Sequence, residues 1–103
     1  RRAARPGMSA HELDDLCRGH LEASPYAPYV VHKTGHGLGL DVHEAPQVMR
    51  GNHTLLEAGN VLTIEPGLYW PGRLGVRIED DVLITDNGCE SLSTMSRDLL
   101  VVG

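Results

Sequence analysis

Leu13, Leu16, Cys17 and Leu21 recur at the three- and four-residue intervals of one helix face, and they predict an amphipathic helix over residues 10–22. Its start is marked by Ser9-Ala10-His11-Glu12, a capping box in which the Ser9 hydroxyl and the Glu12 carboxylate each take a backbone N–H that the first turn leaves unpaired. Asp14 and Asp15 fall in the first turns, where negative charge suits the helix dipole, and they read as solvated. Ser24-Pro25-Tyr26-Ala27-Pro28 then breaks the pattern, and Tyr29-Val30-Val31-His32 reads as a short strand. Glycines at 35, 37 and 39 exclude a helix beyond it, since each would cost one about 1 kcal/mol relative to alanine. This stretch therefore reads as a loop, and the four-residue spacing of His32 and His36 is not helical.

Further on the period becomes two. Val61, Thr63 and Glu65 face one way and Leu62 and Ile64 the other, up to a Pro66-Gly67 turn. Residues 76–84 read as one further strand, with Val76, Ile78, Val82 and Ile84 on its apolar face and Arg77 and Glu79 opposite. Asp80 is the misfit on the apolar face, and a bulge near Glu79-Asp80-Asp81 would remove the conflict. Asp86-Asn87-Gly88 signals a turn, Cys89 reads as part of a turn, and residues 97–102 read as a closing strand. No repeat, low-complexity tract or linker interrupts this order, which predicts one α+β unit.

Composition narrows the partners. The 103 residues are one domain at most, and the core is thin in aromatics, with three Tyr, one Trp and no Phe. A net charge of −5 gives no electrostatic reason to expect nucleic acid or an anionic membrane. No apolar run approaches the roughly 20 residues that span a bilayer, and no signal-peptide core is visible, so the expected location is cytoplasmic. Cys17 and Cys89 lack metal-binding or redox spacing and read as free thiols. The opening Arg1-Arg2-Ala3-Ala4-Arg5 has no initiator Met and reads as the tail of a helix cut from a longer protein.

The chemistry concentrates in Val31-His32-Lys33-Thr34-Gly35-His36-Gly37-Leu38-Gly39-Leu40-Asp41-Val42-His43-Glu44-Ala45-Pro46, followed by Glu65 in Ile64-Glu65-Pro66-Gly67 and Glu79 in Arg77-Ile78-Glu79-Asp80. Imidazoles with carboxylates are divalent-metal ligands, although a single Glu at a strand end is usually a solvated edge charge. Gly35, Gly37 and Gly39 are either loop punctuation or a means of bringing backbone close to metal and substrate. A phosphate-cradling loop is excluded by the absence of a following Gly-Lys-Ser/Thr. His11, His20 and His53 have no such context and read as surface histidines, while Tyr69 and Trp70 fit either a pocket rim or ordinary hairpin packing.

Taken in order, these motifs resemble the creatinase, Xaa-Pro aminopeptidase, prolidase and methionine aminopeptidase superfamily of pita-bread metallopeptidases, most closely its Xaa-Pro branch. The resemblance implies an α+β fold that is the C-terminal half of a pita-bread domain, a helix with an antiparallel sheet. It implies metal ligation by His36, Glu65 and Glu79, with two divalent ions, manganese or cobalt favoured over zinc by the oxygen-rich ligands. His43 then contacts the substrate amide, His32 lines the substrate pocket, and Arg77 holds a ligand carboxylate in place. The implied reaction is hydrolysis of an N-terminal or dipeptide Xaa-Pro bond by a metal-bridging water, with Glu65 handling the proton. The substrate is thus a peptide with proline after its first residue.

One part of the pattern is missing. The family has two further aspartate ligands on a hairpin upstream of the histidines, and none of Asp14, Asp15 and Asp41 fits that context. Residues 1–103 are therefore expected to be a partial catalytic domain, inactive alone, whose partner is the N-terminal half or, through pseudo-symmetry, a second copy in a homodimer. A non-catalytic peptide-binding module of the same fold is the alternative. The presence of His36, His43, Glu65 and Glu79 together favours the enzyme.

Overall fold

The structure, a computed structural model, describes residues 2–103. Helix α1 spans Ala10–Glu22 and starts as the sequence predicts, with the Glu12 N–H donating to Ser9 Oγ (3.1 Å) and the Ser9 N–H to Glu12 Oε2 (2.7 Å). Its inner face is narrower than the apolar spacing suggests. Leu13 is buried and Cys17 and Leu21 are half-buried, but Leu16 is 45% exposed. Asp14 occupies the inner face instead and is fully buried, so the expectation of a solvated side chain fails there. Backbone N–H groups of Thr34 (2.8 Å) and Arg50 (3.1 Å) replace the water it loses. Asp15 remains exposed and pairs with Arg50.

Seven short strands follow a 3-10 turn at Ala27–Tyr29: β1 Gly35–Gly37, β2 Glu44–Val48, β3 Val61–Ile64, β4 Gly67–Trp70, β5 Leu74–Arg77, β6 Asp80–Ile84 and β7 Cys89–Ser91. Five of them form an antiparallel sheet of order β2-β1-β3-β6-β7, and β4 pairs with β5 in a separate two-stranded ribbon. Leu13 of α1, with Met8 and Leu56, packs against Val48, Leu62, Ile64, Val82 and Ile84 on one sheet face. Leu62 lies opposite Val82 and Thr63 opposite Asp81, so alternation sends Thr63 and Asp81 to the other face. None of the described helices is long and apolar enough to cross a membrane.

The departures from the sequence reading have local causes. Residues 29–32 form no strand, because Pro28 places Ala27–Tyr29 in a 3-10 turn and sheet pairing begins only at β1. Of the glycine stretch expected to be a loop, Gly35–Gly37 is that strand and Gly39 lies beyond it. A Cβ on Gly35 would overlap the Thr63 carbonyl and one on Gly37 the Ala45 carbonyl, so these glycines let backbone approach backbone rather than metal or substrate. Residues 76–84 are two strands in two sheets, since the chain crosses from ribbon to main sheet at Ile78-Glu79; Val76 and Ile78 are consequently 52% and 44% exposed.

No bulge is needed there, because Asp80 does face the core and Arg97 meets it with hydrogen bonds of 2.8 and 2.6 Å. The expected closing strand at 97–102 is coil, and the sheet closes instead with β7, which places Cys89 in a strand and leaves Asp86-Asn87-Gly88 as the turn. No disulfide joins Cys17 and Cys89. Residues 2–5 are turn and coil rather than a helix tail, and Arg1 lies outside the described residues.

Arg97→Ala removes two charge-assisted hydrogen bonds from a carboxylate only 7% exposed. The expected loss is about 2 kcal/mol, read as a lower urea midpoint at unchanged slope. An unchanged midpoint would show that the pair contributes nothing net.

Candidate metal centre

Three separate segments bring the candidate residues to the sheet face away from α1. His36 is the middle residue of β1, Glu65 directly follows β3, and Glu79 directly precedes β6. Strand alternation explains the convergence: Glu65 shares the side of Thr63 and Glu79 the side of Asp81, and those two residues lie in register. The result is a polar cavity of about 370 Å³ lined by His36, His43, Glu65, Arg77 and Glu79 together with Leu38, Val42, Thr63 and Asp81.

His36 is only 5% exposed, and its backbone and its ring are each held by one neighbour. Its backbone N–H donates to Thr63 Oγ1 (3.1 Å), and its ring Nδ1 lies 2.8 Å from the Gly37 carbonyl. A carbonyl can only accept, so this contact puts the proton on Nδ1 and leaves Nε2 with a lone pair. Nε2 lies 3.6 Å from Glu65 Oε1. Two acceptors facing each other need a proton or a cation between them, and that requirement is the fit of this donor set to a metal ion.

Glu79 adds to the same demand. Partial desolvation pushes its carboxyl up from the usual carboxylate range, and so do the like charge of Glu65 and a hydrogen bond shared with it, while Arg77 and His36 oppose the shift. The side chain is 41% exposed, so solvent screens much of this effect. Arg77 Nη2 lies 3.8 Å from Glu79 Oε2, a loose contact between half-exposed groups that suits an orienting role. His43 reaches the cavity from the loop between β1 and β2, and its ring centroid lies 4.3 Å from that of His36.

His32 stands apart from the residues lining this cavity. Its Nδ1 is 2.6 Å from the Lys33 carbonyl, and its Nε2 accepts from the Tyr69 hydroxyl at 3.1 Å. A Cβ on Gly67 would fall against His32 Nε2 and the Tyr69 ring, so the glycine of Ile-Glu-Pro-Gly makes room for this contact. Trp70 stacks on Tyr29 at 5.2 Å, tying the ribbon to the 3-10 turn, and both rings line a small apolar cavity apart from the donor set. Thr63 and Asp81 are the polar lining residues that the sequence did not point to. Each lies two positions from a candidate ligand in an extended segment, and that parity alone would have found them. Among the described residues, no three His, Cys, Asp or Glu side chains close on a single ion position. The cluster is an open set of donors.

A larger groove of about 590 Å³ lies between α1 and the start of β6, but Cys17, Leu21, Ile64, Pro66 and Ile78 make it mainly apolar, and it holds no comparable donor set.

Known proteins share this fold. Residues 1–86 match the profile of metallopeptidase family M24. The chain is 49% identical over 95% of its length to an Xaa-Pro dipeptidase of Pyrococcus furiosus, of which it spans 28%. Among solved structures, it superimposes with a TM-score of 0.92 on the prolidase of Pyrococcus horikoshii (46% identity, 96% of this chain, 28% of that one). With dipeptidase PepE of Mycobacterium ulcerans the TM-score is 0.95 (48% identity, 98% of this chain, 27% of that one). The helix and antiparallel sheet thus correspond to the C-terminal part of the pita-bread structures, as the sequence resemblance implied. A match over 86 of 103 residues, joined to near-half identity and a common backbone, means that the chain belongs to metallopeptidase family M24.

Proposed function

We propose that residues 1–103 supply one half of the catalytic centre of a metal-dependent peptidase that cleaves the bond before proline in Xaa-Pro substrates. The observation that carries this reading is the meeting of His36, His43, Glu65, Arg77 and Glu79 around one cavity. The relatives named above, an Xaa-Pro dipeptidase and a prolidase, support the substrate class. The chain spans 28% of the first of these relatives, so the remaining ligands belong to a segment that completes the site.

His36, Glu65 and Glu79 would hold the metal, and carboxylate oxygens outnumbering nitrogen favour manganese or cobalt over zinc. When bound, two such ions supply the positive charge that acidifies a water and polarises the scissile carbonyl. The residues of this chain do the rest. Glu65 handles the proton between water and leaving nitrogen. His43, beside His36 at the cavity mouth, donates to the substrate amide as negative charge develops there. His32, oriented by Lys33 and Tyr69, lines the approach of the substrate. Arg77 keeps Glu79 directed at the cavity.

Calorimetric titration with Mn(II), paired with an assay on an Xaa-Pro dipeptide, tests the reading. The 103-residue chain is expected to bind the ion weakly and to turn over little or no dipeptide. Glu65→Gln and Glu79→Gln are each expected to weaken binding at least about tenfold. Identical isotherms for wild type and both variants would overturn the ligand assignment, and tight two-ion binding with efficient turnover would overturn the half-site.

A further inference from the structure

The Asp14 carboxylate is fully buried in α1, and both its oxygens are engaged. One accepts the Thr34 N–H at 2.8 Å; the other accepts the Arg50 N–H at 3.1 Å and lies 3.0 Å from Arg18 Nε. Arg18 Nε makes no well-directed hydrogen bond, so its contribution is charge compensation, while its Nη2 reaches the His32 carbonyl at 3.4 Å. The position of these acceptors in the sheet is what gives them meaning. Gly35 pairs with Val48, and the Thr34 N–H is shared between Asp14 Oδ1 and the Val48 carbonyl (3.1 Å), so Thr34 and Arg50 lie at the end of the β1–β2 ladder. The carboxylate bridges the two strands at that open end.

Thr34 is also the joint between the two halves of the donor set. Its carbonyl accepts the Glu65 N–H at 2.7 Å, and His36 lies two residues further along the chain. Asp14 thus grips one side of a peptide segment whose other side grips Glu65.

We propose that Asp14 is a positioning residue for His36 and Glu65, acting through the backbone of Thr34; the proposal rests on the metal-site reading above. A carboxylate that holds two backbone N–H groups fixes their spacing more firmly than packing does, because hydrogen bonds to a buried charge are short and directional. Loss of that grip leaves the Thr34 N–H with the Val48 carbonyl alone, so Thr34 shifts toward β2 and the His36 to Glu65 separation shifts with it.

The test uses the 103-residue chain with Asp14→Ala, with Leu13→Ala as a control that removes neighbouring buried bulk from the same helix without touching Thr34. Readouts are the melting temperature, the Glu65 amide and His36 ring resonances without metal, and the Mn(II) concentration that half-broadens the His36 signal. Both variants are expected to melt lower. Only Asp14→Ala should displace the Glu65 and His36 resonances and raise the Mn(II) midpoint, by about tenfold.

Asp14→Ala with a lowered melting temperature but wild-type resonances and midpoint would reduce Asp14 to a structural residue and overturn the proposal. Should Asp14→Ala fail to fold, Asp14→Asn keeps the shape and one acceptor. A smaller displacement of the Glu65 amide supports the proposal there, and an unmoved one overturns it. If Mn(II) broadens no His36 signal in any form, the metal reading falls, while displaced Glu65 and His36 resonances in Asp14→Ala still support positioning.

Discussion

Gly35→Ala should cost about 3 kcal/mol and lower the melting temperature by roughly 15 °C, a large share of the stability of a domain this size. The added Cβ would overlap the Thr63 carbonyl, with Thr63 Oγ1 also inside contact distance, so what must yield is backbone and not the end of a flexible side chain. β1 can make room only by parting from β3, which breaks the His36 N–H to Thr63 Oγ1 bond and the Glu65 N–H to Thr34 carbonyl bond. Stability and site geometry therefore fail together. Gly19 provides the opposite case within the same chain. It lies in α1 with open space where an alanine methyl would sit, and Gly19→Ala should stabilise by up to about 1 kcal/mol through helix propensity alone. Thermal and urea unfolding of the two variants side by side check both signs, and a Gly35→Ala variant within about 0.5 kcal/mol of wild type would mean that the β1–β3 contact relaxes freely.

These two glycines also mark where the sequence was legible. Wherever local chemistry sets the structure, the residues announce it: Ser9 and Glu12 form their reciprocal cap, and the alternation through Leu62, Thr63, Ile64 and Glu65 gives the correct face to each side chain. His36, Glu65 and Glu79 could be paired on paper because their motif contexts were distinctive, and parity then brought them to one face. β1 was hidden because glycine is depleted in strands, and nothing in Gly35-His36-Gly37 says that a neighbouring carbonyl needs the space. Asp14 was hidden because its partners lie 20 and 36 residues away, while its local context is that of any acidic first turn. The break at Ile78-Glu79 was hidden because alternation runs unchanged through a chain that leaves one sheet for another. Arg97 escaped notice for the same reason as Asp14, since a buried carboxylate is explained only by a partner 17 residues further along.

The chain on its own should self-associate. A compact monomer of its mass exposes roughly 5,700 Å², whereas this one exposes 6821 Å², and the excess is comparable to the ~800 Å² that each partner contributes to a standard interface. Its radius of gyration of 14.0 Å is likewise above the roughly 12.8 Å of a compact domain of this length. Much of the exposed surface is apolar: Leu16 on the outer side of α1, Leu74 and Val76 on the ribbon, and Leu99, Leu100, Val101 and Val102 at 74–92% exposure. Such surface lowers its free energy by about 25 cal/mol per Å² when covered, so either the completing half of the catalytic centre or a second copy of the chain should cover it. Light scattering across a dilution series is expected to show apparent mass rising with concentration. Leu16→Asp combined with Leu99→Asp and Leu100→Asp should shift the chain toward monomer, because charge at these exposed positions opposes association without entering the core. A wild-type chain that stays monomeric at high concentration would show that this exposed surface does not drive association. Association that persists in the triple variant would instead move the contact to the ribbon, where Leu74→Asp tests it next.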